Sequence, residues 1–192
     1  MACAGIYVPR AVGSHLRLES NAFVLSVFDY ALWSSLTGNP GHVPFLGHSL
    51  FSHHFMPTLL ALLPAYSLFA GPELLIAAQL IAFLCAAVVL TWLASGELSA
   101  LMTTALVVTF CFSRKAHSAL SSPFYLESFE PLLVFGVVWA WSTRRWYVAA
   151  ACSLLLLGCK EDAALYLAFF GVLNAAAGQR RAGFAVAAVS VL

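Results

Sequence analysis

Leu74 to Ala94 is a run of 21 residues without a formal charge. Spanning about 30 Å of hydrocarbon takes about 20 apolar residues as helix, because every backbone N–H and C=O must be satisfied within the segment. Eleven of the 21 are Leu, Ile, Val or Phe. At roughly −0.3 to −0.6 kcal/mol each, they favour insertion by about 3 to 7 kcal/mol. Composition points the same way. The chain is 62% hydrophobic and 9% charged, against about 45–50% apolar and about 25% charged in an average soluble domain. That is too little charge to coat a globule. The sequence describes an all-α, polytopic transmembrane helical bundle, with the lipid bilayer as its first partner.

Other classes fall away. Disorder, coiled coil, collagen and a secreted disulfide scaffold are excluded by composition. A net charge of +1, with its nine cations scattered, offers no basic field, so nucleic acid is no partner. Cys85, Cys111 and Cys152 lie inside apolar runs, Cys159 ends one and Cys3 is near the start. No spacing among them suggests a disulfide or zinc, and they read as small hydrophobes.

Further spans follow at Leu98–Ser113, Phe124–Thr143, Trp146–Gly158 and Ala163–Gly178, giving five with no sheet. Ala182–Leu192 begins a partial one, which leads us to expect the N-terminal fragment of a longer protein. Met1–Ser20 lacks the continuous apolar core of a signal peptide. The chain thus divides into an N-terminal segment 1–20, an outer-face and interfacial segment 21–72 and a membrane bundle 73–192.

Arg144-Arg145 and Arg180-Arg181 sit in short loops, the first flanked by Trp139, Trp141 and Trp146. The positive-inside rule places both loops in the cytoplasm, so Lys160-Glu161-Asp162 is the outer turn. Asp29, His53, His54, Glu73, Arg114, Lys115, Glu127 and Glu130 then fall at or near the outer side. Glu97 stays on the other. Asn21–Leu36 is either a short crossing or an amphipathic helix on the outer surface. Gly38-Asn39-Pro40-Gly41 is a loop, and Pro57–Phe69, too short to span, is an interfacial helix before Gly71-Pro72.

Four stretches carry a family resemblance. They are Ala22 to Trp33 around Phe28-Asp29-Tyr30, then His54-Phe55-Met56-Pro57, then Glu127 to Leu133, then Lys160-Glu161-Asp162-Ala163-Ala164-Leu165-Tyr166. Their order and spacing resemble domain-of-unknown-function family 2079, a family of bacterial predicted membrane proteins similar to the C-type (GT-C) glycosyltransferases. The similarity covers about Asn21 to Leu192. It implies a multi-pass protein of the bacterial inner (plasma) membrane that uses a sugar carried on polyprenyl phosphate. Departures exist: Val24 and His53 stand where the family pattern carries Asp, and Ser128 stands near an expected His.

The resemblance gives Asp29 the catalytic role, accepting the acceptor hydroxyl's proton. His54, Arg114, Lys115, Glu130, Lys160, Glu161 and Asp162 become substrate-binding candidates. Convergence of Asp29, His54, Glu130 and Lys160 on one outer cavity is expected. Each also has a plainer reading. Asp29 fits a solvated interface, since a carboxylate in hydrocarbon costs about 2.5–3.5 kcal/mol. Lys160 suits the negative end of one helix, while Glu161 and Asp162 suit the positive start of the next. Glu127 and Glu130, one turn apart, form either an ion cluster with Arg114 and Lys115 or the rim of a phosphate site. His42, His48, His53 and His54 contain no helical i, i+4 pair, so no metal is assigned and a divalent metal lacks support. The alternative function is a non-enzymatic membrane protein, a transporter or channel component whose outer acids form a vestibule. A third is an inactive fragment.

Overall fold

The computed structural model describes residues 22–52, 54–121 and 124–179, with Gly5, Tyr7, Pro9, Gly13, Gly183 and Val186. Expectations placed on His53, the Lys115 side chain, Arg180-Arg181 and most of 1–20 and 182–192 lie outside these residues. Among the described residues the fold is helical. Eight α-helices run in chain order: α1 (Ala22–Leu36), α2 (Leu63–Leu68), α3 (Pro72–Ser95), α4 (Ala100–Cys111), α5 (Arg114–Ser121), α6 (Glu130–Ser142), α7 (Trp146–Leu157) and α8 (Ala163–Ala176). The expectation of no sheet needs one correction. Two-residue strands, β1 (His42–Val43) and β2 (His48–Ser49), pair antiparallel with His42 opposite Ser49 and Val43 opposite His48.

Helix α3 starts with Pro72 in its first turn, where a missing N–H costs nothing. Its 24 residues extend about 36 Å at about 1.5 Å per residue. It alone among the described helices is long and apolar enough to cross a membrane. The other expected spans are shorter than the apolar runs that encode them. Helices α4, α6, α7 and α8 hold 12, 13, 12 and 14 residues. The reason is clearest at Phe124–Thr143, where Leu126–Phe129 is a tight 3-10 turn and the α-helix begins only at Glu130.

Helix α6 is the hub, packing on α3, α7 and α8. Gly136 brings α7 close, since a Cβ there would stand 3.0 Å from Cys152 Sγ. Around α3 the larger core gathers Leu75, Leu80 and Phe83 with Phe124, Leu126 and Cys159. Helix α1 joins it through Leu25, Phe28 and Leu32, spaced so that one face is buried. Phe28 meets Phe124 edge-on at 5.0 Å. Tyr7 also reaches this core, its hydroxyl donating to the Cys111 carbonyl at 3.0 Å. The expected interfacial helix at Pro57–Phe69 is a 3-10 turn over Pro57–Leu62 followed by α2.

Candidate functional site

The two ends of the helix layer differ in chemistry. At one end are the last residues of α3, α6 and α8 and the start of α7. Trp92 meets Trp139 at 5.9 Å, and Trp141 meets Trp146 at 5.2 Å. The Arg145 guanidinium lies 5.0 Å from the Trp139 ring centre. Tryptophan and arginine at one level form the aromatic belt expected where a helix bundle meets a membrane interface.

At the other end, α6 begins, α7 stops and α8 begins. A cleft of about 590 Å³ opens there, within the range of ligand sites, about 300–1,000 Å³. Its lining joins the apolar Phe83, Phe110, Leu120 and Val134 to the polar Tyr125, Glu127, Glu130, Lys160, Asp162 and Tyr166. Lys160 Nζ donates to Glu127 Oε1 at 2.9 Å. That bond first, then the Glu127 charge, pushes the Lys160 ammonium above its ordinary range. Glu127 Oε2 is buried without a hydrogen-bond partner among the described residues. Glu130 is buried at the first turn of α6, where the positive helix end favours a carboxylate. Burial, then Glu130 and Glu127, pushes the neighbouring Cys159 thiol up to about 12. It is no nucleophile at neutral pH.

Gln79 holds part of this lining in place, and sequence reasoning passed over it. Fully buried on α3, its Oε1 accepts from the Tyr125 N–H at 2.9 Å and the Ser128 hydroxyl at 3.1 Å. The 3-10 turn carrying Glu127 is therefore fixed to the longest helix. The available signal was a lone amide in an otherwise apolar span, which in a membrane demands partners.

Two of the four recognisable stretches meet beside the cleft. The Thr58 N–H donates to the Gly158 carbonyl at 3.0 Å and its hydroxyl to the Leu155 carbonyl at 2.6 Å. A Cβ on Gly158 would collide with Thr58 Oγ1, so this approach requires glycine. The Phe55 N–H donates to Glu161 Oε1 at 2.8 Å, and His54 Nδ1 lies 3.7 Å from Glu161 Oε2. The Phe55 bond is the main cause holding the Glu161 carboxyl below its ordinary range.

The expected site residues thus separate into groups. Glu130, Lys160 and Asp162 line the cleft together with Glu127. His54 and Glu161 pair beside it, on the strap His54–Thr58. Asp29 is elsewhere: its Oδ1 accepts from the Tyr66 hydroxyl at 2.7 Å, and it does not line the cleft. Burial first, then Asp29, raises the Tyr66 hydroxyl well above its ordinary range, so it remains a donor. Arg114 is exposed at the start of α5 and outside the lining, where Ser113 Oγ accepts from the Ala116 N–H at 3.1 Å. The capping reading of Lys160-Glu161-Asp162 also changes. Asp162 makes no side-chain cap on α8, and Lys160 reaches across to Glu127. Among the described residues no three His, Cys, Asp or Glu side chains gather as a metal-binding group.

No match was found among curated proteins or among solved structures. The family of predicted membrane proteins known as domain of unknown function 2079 (DUF2079) matches residues 14–192, nearly the whole chain. With an apolar 24-residue helix and an aromatic belt at one end of its bundle, the chain belongs to that family of predicted membrane proteins.

Proposed function

We propose that the chain is a multi-pass inner-membrane protein, with α3, α4, α6, α7 and α8 as its crossings, that takes a polyprenyl-phosphate-linked sugar into this cleft for GT-C-like glycosyl transfer. One observation carries the reading: the Lys160–Glu127 pair at 2.9 Å on a cleft that aromatic and aliphatic side chains also line. An isoprenoid needs an apolar wall, its phosphate needs a cation, and an acceptor hydroxyl needs a carboxylate.

The acceptor oxygen attacks the anomeric carbon as the bond from that carbon to the phosphate oxygen breaks. The bonding pair leaves on the phosphate, where Lys160 stabilises the growing charge. The hydroxyl proton passes to a carboxylate. Among the described lining residues Glu127, Glu130 and Asp162 outnumber Lys160, so phosphate engages Lys160 by displacing Glu127. Glu127, no longer bonded to the ammonium, is then placed to accept the hydroxyl proton. Asp29, the base that the family resemblance implies, is the competing choice; its bond to Tyr66 and its place outside the cleft favour Glu127.

The test uses the full chain in proteoliposomes with a panel of polyprenyl-phosphate sugars. Lys160→Gln should weaken donor retention in native mass spectrometry. Glu127→Gln should leave retention intact and cut transfer by about 10²–10⁴, the usual worth of a positioned base. Equal retention of a donor and an uncharged polyprenol by the unmodified chain would overturn the reading. Loss of transfer in Asp29→Asn but not in Glu127→Gln would return the base to Asp29.

A further inference from the structure

The aromatic end of the bundle holds a second cavity, and its surroundings specify what fills it. A groove of about 390 Å³ runs along α7 between α6 and α8. Trp146, Ala150, Ser153, Leu154 and Leu157 are the α7 residues that line it along most of the helix, with Ala149 beside them. Their spacing follows one face of a helix. Val137 and Trp141 supply the α6 wall, and Leu167 and Phe170 the α8 wall. The lining holds no formal charge. Such a groove accepts a hydrocarbon chain and rejects a polar ligand.

Its upper end is different. Trp141 and Trp146, whose rings touch at 5.2 Å, bracket the tight turn that carries Arg144 and Arg145. Both arginines are exposed. Neither forms a salt bridge among the described residues. The turn is rigidly set: Arg144 adopts φ 55°, and the Arg145 N–H donates to the Ala140 carbonyl at 2.8 Å. Tyr147, 94% exposed, extends the aromatic surface beside them. Among the described residues Glu97, exposed on the α3–α4 connection, is the carboxylate placed towards this end.

We propose that this is a binding site for an anionic phospholipid, with its phosphate on Arg144 and Arg145 and one acyl chain in the α6–α7–α8 groove. Two guanidinium groups supply the charge complement and the forked geometry that a phosphate diester accepts. The groove supplies length, and the tryptophan pair seats the glycerol level. The site lies at the opposite end of α7 from Lys160, about 18 Å away along the helix. It stands independently of the proposed transfer chemistry.

The experiment is native mass spectrometry of the full chain in detergent, titrated with phosphatidylglycerol or phosphatidylcholine of matched chains. The unmodified protein should retain phosphatidylglycerol preferentially. The double variant Arg144→Gln/Arg145→Gln should lose about fivefold per arginine, roughly 25- to 30-fold together. Arg144→Lys/Arg145→Lys, which keeps the charge, should hold most of the preference and guards against a folding defect. Ala150→Leu fills the groove without touching charge and should weaken both lipids alike. Inorganic phosphate at millimolar concentration should not compete, because it lacks the chain. Equal retention of the two lipids by the unmodified protein would overturn the proposal. So would an undiminished preference in the double glutamine variant, or an Ala150→Leu protein that binds as before.

Discussion

The two ends of the bundle are built by different means. At the cleft end, side chains far apart in sequence are joined by directional bonds: Gln79 to Tyr125 and Ser128, Lys160 to Glu127, Phe55 to Glu161, Thr58 to Gly158. At the arginine end the ties are mostly ring against ring, Trp92 on Trp139 and Trp141 on Trp146, with Arg145 over Trp139 and one exposed directional bond, from the Trp141 indole N–H to Gln179 Oε1 at 2.9 Å. Directional bonds lose most of their worth over a few tenths of an ångström and leave buried groups unsatisfied when cut. Ring contacts are weaker, broader in geometry and easily replaced by lipid. The first end therefore suits chemistry, and the second suits anchorage.

The largest expected effect tests that contrast at its tightest point. Gln79→Leu leaves the Tyr125 N–H and the Ser128 hydroxyl without their acceptor. The Ser128 hydroxyl is buried, and a buried orphan costs about 1–3 kcal/mol, so thermal unfolding in detergent should shift down clearly. Hydrogen exchange should rise over 124–129 and remain unchanged over 139–147. Equal loosening of both ends would mean that they form one cooperative unit.

Next is Gly158→Val, which drives a branched side chain against Thr58 and Pro57. Overpacking of this kind costs about 1–3 kcal/mol. The strap His54–Thr58 should detach from the end of α7, and the Phe55 amide should lose its exchange protection. A variant as protected as the parent would show that the strap is held by the Glu161 bond alone.

The ends should also separate by pH. Glu161 titrates below its ordinary 4.5 in the folded chain. Its stabilising contribution is full above that value and is lost as pH falls through the lowered one. Lys160 has the opposite sign: raised above 10.5, it contributes fully below that value and is lost as pH rises through the folded one. Acid should therefore free Phe55 first, and alkali should release Glu127. The arginine end, which contains neither Glu161 nor Lys160, should keep its tryptophan fluorescence across both windows. A parallel change at the two ends would break the comparison.

Much of this was legible in the residues. The span Leu74–Ala94 sits within α3, and α6, α7 and α8 fall inside the apolar runs that encode them. Arg144-Arg145 and Lys160-Glu161-Asp162 flank α7 at its opposite ends. What could not be read was which polar residues meet. Hydropathy does not distinguish a helix from a 3-10 turn, so Leu126–Phe129 was absorbed into a span. That turn carries the Glu127 that meets Lys160. The positive-inside topology grouped Asp29 with the outer acids, but the partner that holds it, Tyr66, comes from a segment read only as interfacial. Gln79 drew no reading of its own inside an uncharged run, because its two partners lie more than 40 residues away.

The smallest expected effect lies at the arginine end. Arg145→Gln removes the cation over Trp139 while keeping a long polar side chain, and Trp139 keeps its contact with Trp92. An exposed cation–π contact is worth about 0.5–1 kcal/mol. The Arg145 N–H bond to the Ala140 carbonyl belongs to the backbone and survives the change. The loss should therefore stay at or below about 1 kcal/mol in detergent, smaller than for Gln79→Leu. In anionic bilayers it should grow, because there the same arginine also faces lipid phosphate, worth about 1 kcal/mol more. The same variant measured in zwitterionic and anionic nanodiscs separates the two contributions. A loss as large as that of Gln79→Leu in detergent would mean that this end, too, is held by bonds that cannot be replaced.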